Sequence, residues 1–488
     1  MKYCGVLIRY LLCLAILSGV CAGQSKNDDT DAKLFSPEEI RADLAFLYQS
    51  LEASHYDLFA HTPKKVFDTR FKQIDRSITR PMTLLEVNRL FQPFAALSGL
   101  AHCSIEYPFV ASYRPYAKGG GTMFPLDVGV ANGKLMITGN FSSDSTIAKG
   151  DELVTINGAP ARTQLRSLYR YLSGENDNFK NTLIDLLSFS RLYWLVNGRN
   201  DSFRIKLKKP DGKTRTVVVE AILATTLEEK LKLKQPIFEP GRKFEFIGDT
   251  AYLRPGQFAN SAGSGDTSDH RTFEKGEFVS FIDDSFARIK ERRSKDLIVD
   301  LRGNPGGDNS FSDAMVAYFA DKPFWFCSRF SLKTSAVTKS FWKDVDEPSL
   351  ALLKAQILTK PDGTVFDAAI EKYPPRPVND RFAGKVYVLI NRFTYSNAVT
   401  TAAIIQDYKF GTLIGEPTAD VPTTYGAVHQ FRLPNTQMAV TYPKALMVRP
   451  NGDRSLIGLT PDVIVREDDT TPNDEILDFA LARIVRQQ

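Results

Sequence analysis

Asp300-Leu301-Arg302-Gly303-Asn304-Pro305-Gly306-Gly307 closes a short apolar run, Asp296–Leu301, and leads into a helical pattern at Asp313–Phe319. Adjacent glycines at the end of a buried strand let the backbone turn tightly and aim amide N–H groups outward. Such an array can hold a developing oxyanion or cradle a phosphate. No Lys-Ser or Lys-Thr follows these glycines, so the phosphate-loop pattern is not met. Further along, Val388-Leu389-Ile390-Asn391-Arg392-Phe393-Thr394-Tyr395-Ser396-Asn397-Ala398 repeats the plan: a buried strand ends, a polar turn follows, and a helix of small residues begins. Ser396 at that start reads two ways. It is an N-cap, or it is a nucleophile whose oxyanion the helix N-terminus favours. In the second case the Asn397 N–H joins Gly306 or Gly307 as a donor.

Working outward from these loops, strands and helices alternate. Phe244–Ile247 and Thr250–Arg254 read as a hairpin about Gly248-Asp249. Phe278–Ile289 reads as an amphipathic helix, Lys385–Ile390 as a buried strand, Ala398–Ile405 as a helix and Thr412–Ile414 as a strand. This alternation predicts a mainly parallel α/β core. Toward the N-terminus the texture differs. Ser36-Pro37-Glu38-Glu39 carries a capping box with Pro at the first helical position, and helical patterns continue through Val66–Ile78 and Leu84–Leu97. Short strands then follow at Leu126–Val130, Leu135–Ile137 and Glu152–Ile156, with Asn132-Gly133 as a tight hairpin turn. Helical patterns at Thr163–Leu172 and Leu183–Leu195 precede a second hairpin, Phe203–Leu207 with Thr214–Val219, about Pro210-Asp211-Gly212.

The first residues read as a targeting segment. Lys2 and Arg9 flank the apolar stretch Tyr10–Val20, and Val20-Cys21-Ala22 fits a signal-peptidase site before Gly23. The stretch falls short of the ~20 residues a spanning helix needs, which argues for cleavage rather than a membrane anchor. Lipid attachment at Cys21 is a minor alternative, poorly matched by the bulky Val20. The expectation is export, to the periplasm or the medium. Of five cysteines only Cys103 and Cys327 lie outside that segment. They could form one disulfide in an oxidising compartment, and no pair is spaced for zinc. With 43% hydrophobic and 24% charged residues the chain has globular composition. Its net charge of +5 is spread without basic runs, which argues against a nucleic-acid partner.

Taken together, the two loops resemble those of the C-terminal processing and tricorn-core serine peptidases. That family has a similar Asp-x-Arg-x-Asn-x-Gly-Gly loop, and its nucleophile is the Ser of a Thr-x-Ser motif, here Thr394-Tyr395-Ser396. Gly411–Thr418 is similar to the family's Val-Gly-Glu-x-Thr strand end, and Gly458–Val463 to its closing Gly-x-x-Pro-Asp-Ile. The resemblance implies a core of stacked ββα units similar to crotonase and ClpP folds. Upstream, Gly150-Asp151-Glu152-Leu153-Val154-Thr155-Ile156-Asn157-Gly158 resembles a PDZ segment, which implies a PDZ-like α+β module with a sheet edge for an extended chain end. The expected organisation is a signal peptide over 1–22, a helical domain over 23–106, a PDZ-like domain over 107–225 and a serine peptidase core over 226–488.

A serine hydroxyl needs a base. Processing peptidases supply a Lys from a Gly-Lys-Gly segment downstream of the Ser. The corresponding Asp420–Gly426 stretch here has no Lys, and Lys409 and Lys444 fall at the wrong places. The tricorn-like branch supplies a His from the N-terminal region. Of the five histidines (His55, His61, His102, His270 and His429), His102 stands in Leu97–Ile105, which is similar to that branch's Asp-Gly-His-Thr segment. His102 is therefore the expected general base, with a capping surface role as its plainer reading and His429 as a lesser alternative. Leu100-Ala101 replaces the family's Asp-Gly, and Ser455-Leu456-Ile457 lacks its Glu. That leaves Glu416 and Asp420 as candidates to orient the imidazole.

The reading is an exported serine endopeptidase, tail-specific or tricorn-like, that forms an acyl-enzyme at Ser396. His102 serves as base, and Gly306, Gly307 and Asn397 serve as oxyanion donors. No metal or organic cofactor is implied. The expected partner is a polypeptide, engaged through its C-terminus, and an oligomer is left open. The alternative is a weak or inactive ligand- or peptide-binding protein on the same scaffold. An enoyl-hydratase-like enzyme is disfavoured by the export signal.

Overall fold

The computed structural model describes residues 33–233, 237–238, 241–260, 274–345, 351–467 and 473–487. The expected signal peptide, with Cys4, Cys13 and Cys21, and His270 lie outside the described residues. Helix α1 (Pro37–Ser54) begins as its sequence predicts. Ser36 Oγ accepts the Glu39 N–H at 3.2 Å, and a Glu39 carboxylate oxygen accepts the Ser36 N–H at 2.8 Å. Helices α2 (Lys64–Ser77) and α3 (Leu84–Ala95) follow, the latter capped by the same reciprocal pair from Thr83 and Glu86. Their apolar faces, with Leu44, Leu51, Phe67 and Phe94, pack against Phe431, Val440 and Tyr442 from far along the chain. The helical region thus shares its core with a later sheet, to which the short strand β1 (Ser104–Ile105) is also paired.

A second apolar cluster holds strands β2 (Leu126–Ala131), β3 (Lys134–Asn140) and β4 (Glu152–Ile156), helices α4 (Ala161–Tyr169), α5 (Asp177–Leu187) and α6 (Phe189–Asn197), strands β5 (Ser202–Lys208) and β6 (Thr214–Glu220), and helix α7 (Ala224–Lys232). The strands form an antiparallel sheet in the order β6-β5-β4-β3-β2. Asn132 and Gly133 both take left-handed φ, 51° and 71°, as a type I′ hairpin turn requires. The helical pattern at Leu183–Leu195 is not one helix. Ser188, at φ 69°, breaks it into α5 and α6, and Ser190 Oγ then donates to the Phe124 and Leu126 carbonyls, holding α6 to the sheet. Leu227 of α7, beyond residue 225, packs in this cluster too.

The largest sheet runs β7-β8-β9-β12-β13-β16. In chain order its members are β7 (Lys243–Ile247), β8 (Thr250–Arg254), β9 (Asp296–Asp300), β12 (Lys385–Ile390), β13 (Thr412–Gly415) and β16 (Val463–Ile464). All pairs are parallel except the β7–β8 hairpin. Helices α8 (Gly276–Arg292), α9 (Asn309–Val316) and α10 (Asn397–Tyr408) cover one face, and α11 (Glu475–Val485) covers the other. On β9, Leu297 and Val299 point to the first face and Ile298 to the second, the alternation expected of a strand buried on both sides. Asp300 pairs with Leu389, and Ile390 with Gly415, so the carboxyl ends of β9, β12 and β13 finish level. In open parallel sheets ligands bind at that edge.

A further sheet corrects the expectation of a mainly parallel core. Strands β10 (Arg329–Lys333), β11 (Val365–Asp367), β14 (Thr424–Arg432) and β15 (Ala439–Val448) pair antiparallel in the order β11-β10-β15-β14, and β1 adds to β15 through Val440↔Ile105 and Thr441↔Ser104. Pro443 within β15 and the left-handed Ala427 within β14 break the pattern by which strands are read from sequence. Cys103 and Cys327 are both buried and free, so the disulfide allowed by the sequence is not formed. Among the described residues no helix is long and apolar enough to cross a membrane.

Candidate active site

The loop after β9 is held from below by its own strand end. Asp300 is fully buried and accepts from Tyr252 Oη at 2.7 Å, from Arg254 at 3.1 Å and from Arg302 at 2.8 and 3.0 Å. These cations hold its carboxyl below the usual range against the opposing effect of burial. Arg302 reaches on to Glu467 and Asp474, tying the loop to the start of α11. Beyond it the chain can only be glycine. A Cβ on Gly307, at φ 141°, would lie 2.0 Å from the Phe258 carbonyl oxygen. A Cβ on Gly306, at φ 87°, would lie 2.7 Å from the Tyr395 carbonyl oxygen and 2.8 Å from both Asn397 N and Ser396 Cβ.

The loop after β12 is zipped onto this one. Thr394 Oγ1 donates to the Leu301 carbonyl at 2.9 Å, the Tyr395 N–H to the Asn304 carbonyl at 3.0 Å, and the Gly303 N–H to Asn391 Oδ1 at 3.3 Å. Ser396 sits half-buried at the top, with φ 53° and ψ −126°. An N-cap residue has extended backbone and a side chain that accepts from the first turn. Ser396 has neither, and its hydroxyl makes no capping bond. The capping reading of Ser396 is therefore overturned: the backbone is bent into a sparsely populated region that keeps Oγ off its own helix.

Of the three expected oxyanion donors, two have N–H groups to offer. Gly307 and Asn397 find no partner for theirs among the described residues. Gly306 is a correction: its N–H donates to Asn304 Oδ1 at 2.8 Å. Its contribution is the absent side chain, which lets the two loops close.

His102 arrives from the other end of the chain. It follows a turn closed by Gly99 in left-handed conformation and precedes β1, so the β1–β15 pairing fixes its place. It is 8% exposed, and its ring centroid lies 6.1 Å from that of Tyr395, the neighbour of Ser396. Burial lowers its pKa, opposed by the Asp420 charge and by the Tyr425 backbone. Asp420, 1% exposed, joins the two: Oδ2 accepts the Ser396 N–H at 2.6 Å, Oδ1 accepts the Val421 N–H at 2.8 Å, and its charge acts on His102. Burial raises the Asp420 carboxyl in turn. Burial thus disfavours the charged imidazolium, and a neutral imidazole is the form a general base needs.

Glu416 is not part of the cluster that acts on His102. It extends the parallel sheet, its N–H donating to the Ile390 carbonyl at 3.0 Å. His429 is buried on β14 against Phe341, with ring centroids 4.4 Å apart, on the face turned to the N-terminal helices. Lys409 is exposed at the far end of α10 from Ser396, and buried Lys444 donates to the Ala427 carbonyl. Sequence reasoning missed two contributors. Phe179 of α5 packs its ring at a tilt against Tyr395, with centroids 5.7 Å apart, and Glu175, just before α5, accepts the Ala101 N–H at 3.1 Å. No local pattern marks either residue; each acquires its meaning only from contact with a distant loop. Among the described residues no group of three His, Cys, Asp or Glu is placed to hold a metal ion.

The fold and its comparisons define a serine-type peptidase. Residues 249–465, which contain both loops, match the model of Peptidase family S41, which supports a serine-type peptidase with a polypeptide substrate. Similar solved structures include a serine-to-alanine mutant of CPAF (TM-score 0.60, 17% identity, covering 88% of this chain and 93% of that one). Mature CPAF (0.58, 16%, 92% and 96%) and mature CPAF complexed with lactacystin (0.59, 15%, 92% and 97%) are also similar. At these identities the likeness is one of fold.

Proposed function

We propose that this chain is an exported serine endopeptidase that cleaves polypeptides through an acyl-enzyme on Ser396. The observation that carries the reading is the strained Ser396 backbone, braced by Asp420 and set against Gly306, with a buried histidine beside the same loop. His102 takes the Ser396 hydroxyl proton as Oγ bonds to the scissile carbonyl carbon. The resulting oxyanion is held by the Gly307 and Asn397 N–H groups, each donor contributing about 3 kcal/mol to such a transition state. The imidazolium then protonates the leaving amine. In the second half His102 takes a proton from water as the hydroxide adds to the ester, and returns it to Oγ as the peptide acid departs. The Asp420 charge favours the imidazolium in both halves.

We further read the large sheet with its covering helices as the stacked ββα core of crotonase- and ClpP-like folds, and the β2–β6 module as PDZ-like. Strand β6 is an edge, with Val218 62% exposed, and an edge strand can take up an extended chain end. That supports a tail-specific substrate. Export rests on the N-terminal sequence alone and is tested by N-terminal sequencing of the secreted protein, expected to begin at Gly23.

The function is tested with a fluorophosphonate probe on the full chain. Wild type should gain one covalent adduct at Ser396, and Ser396→Ala none. Lactacystin, bound in a CPAF structure, is a second probe. Matched peptides with free and amidated C-termini then test tail recognition. A folded wild type that neither labels nor hydrolyses would favour the binding-protein alternative.

A further inference from the structure

Two buried polar atoms near Ser396 have no hydrogen-bond partner among the described residues: His102 Nδ1 and Glu175 Oε2. They share surroundings. The His102 ring lies against Tyr395, under the Asp420 charge and beside the Tyr425 backbone. Glu175 shares these surroundings: the Asp420 charge acts on it, and its carboxyl bears on Tyr395 and Tyr425. Through Oε1 it also holds the N–H of Ala101, the residue adjoining His102. Asp420 already spends one backbone bond on each of its oxygens, whereas Glu175 has one oxygen with none. A buried polar atom left unmade costs roughly 1–3 kcal/mol, and one pocket holding both a spare donor and a spare acceptor relieves two such costs by joining them.

We propose that Glu175 is the positioning residue of the active-site histidine, its Oε2 accepting the His102 Nδ1–H when the ring carries the serine proton. This rests on the Ser396–His102 reading above. His102 also bonds the Tyr425 backbone; with Nδ1 engaged by Glu175, that bond and the approach to the Ser396 hydroxyl both fall to Nε2, the nitrogen a serine triad uses. Burial and the Asp420 charge push the Glu175 carboxyl up to about 8, with Lys180 opposing; His102, Asp420, Lys180, Tyr395 and Tyr425 are the titratable groups about it. A neutral carboxyl still accepts at its carbonyl oxygen, but the anion accepts more strongly and steadies the imidazolium. Turnover therefore climbs as Glu175 ionises near pH 8.

The test compares full-length wild type, Glu175→Gln, Glu175→Asp, Ser396→Ala and His102→Ala for peptide hydrolysis across pH, with the His102 ring followed by nitrogen NMR. Glu175→Gln keeps an acceptor for the Ala101 N–H. It should lower kcat on the order of 10²-fold with little change in KM, lose the rise near pH 8 and shift the Nδ1 resonance. Glu175→Asp, which keeps the charge, should recover part of the rate. Wild-type kcat, pH profile and Nδ1 resonance in Glu175→Gln would overturn the proposal. If Ser396→Ala and His102→Ala are inactive while Glu175→Gln is not, only the positioning role fails; if those two remain active, the parent reading fails.

Discussion

Gly306 lies so close beneath Ser396 that a methyl group on its Cα would stand 2.8 Å from Ser396 Cβ. The surrounding contacts are backbone atoms of Tyr395 and Asn397, which cannot rotate away. Gly306→Ala should therefore separate the two loops. The expected cost is on the order of 3 kcal/mol, from the left-handed φ and the overlap together, with loss of hydrolysis. Urea unfolding and a peptide assay on the same sample check this; a variant of wild-type activity would mean that the loops need not touch.

Ser396 itself pays for its geometry. At φ 53° and ψ −126° a side chain is strained and glycine is not. Ser396→Gly should be more stable than Ser396→Ala by about 1 kcal/mol, both being inactive. Equal unfolding midpoints would show that the bend stores no strain.

Arg302 joins buried Asp300 to Asp474 at the start of α11. Arg302→Met leaves Asp300 with Tyr252, Arg254 and the backbone N–H of residue 302. Breaking a buried pair on one side costs about 3–5 kcal/mol. Hydrogen exchange should also speed up through 475–485, and unaltered protection there would argue against the clamp.

Burial pushes the Lys444 amine down to about 7, while in the unfolded chain it titrates near ~10.4. Between those values the unfolded chain binds a proton that the folded chain does not, so stability rises with pH across the window. The penalty is full below the folded value. Lys444→Met should thus be the more stable protein at about pH 6, by on the order of 2–4 kcal/mol, and the gap should shrink toward about pH 10. Thermal melts across pH, with wild type and variant shifting in parallel, would contradict this.

Strands β9 and β12 were legible because a parallel strand covered on both faces reads as a short apolar run, and each ends in turn chemistry. Strand β15 has nine of its ten residues buried, yet Pro443 sits in its middle, and a proline argues against a central strand. Gly306 shows a different limit. A glycine-rich turn suggests N–H donors, but Asn304 two residues earlier can fold its side chain back onto the backbone, and here it takes the Gly306 N–H. His102 could be found from the residues around it. Glu175 could not, because nothing in Ser173–Asn176 signals the approach of Ala101.

The pairing of Ile105 with Val440 means that this chemistry does not travel with the S41 segment. A protein cut back to residues 249–465 would keep Ser396 and its glycine shelf but leave behind His102 and Glu175, the proposed base and its proposed acid, together with the strand that pairs with Val440. Trimming, grafting or shuffling this enzyme would succeed only with the amino-terminal half carried along intact.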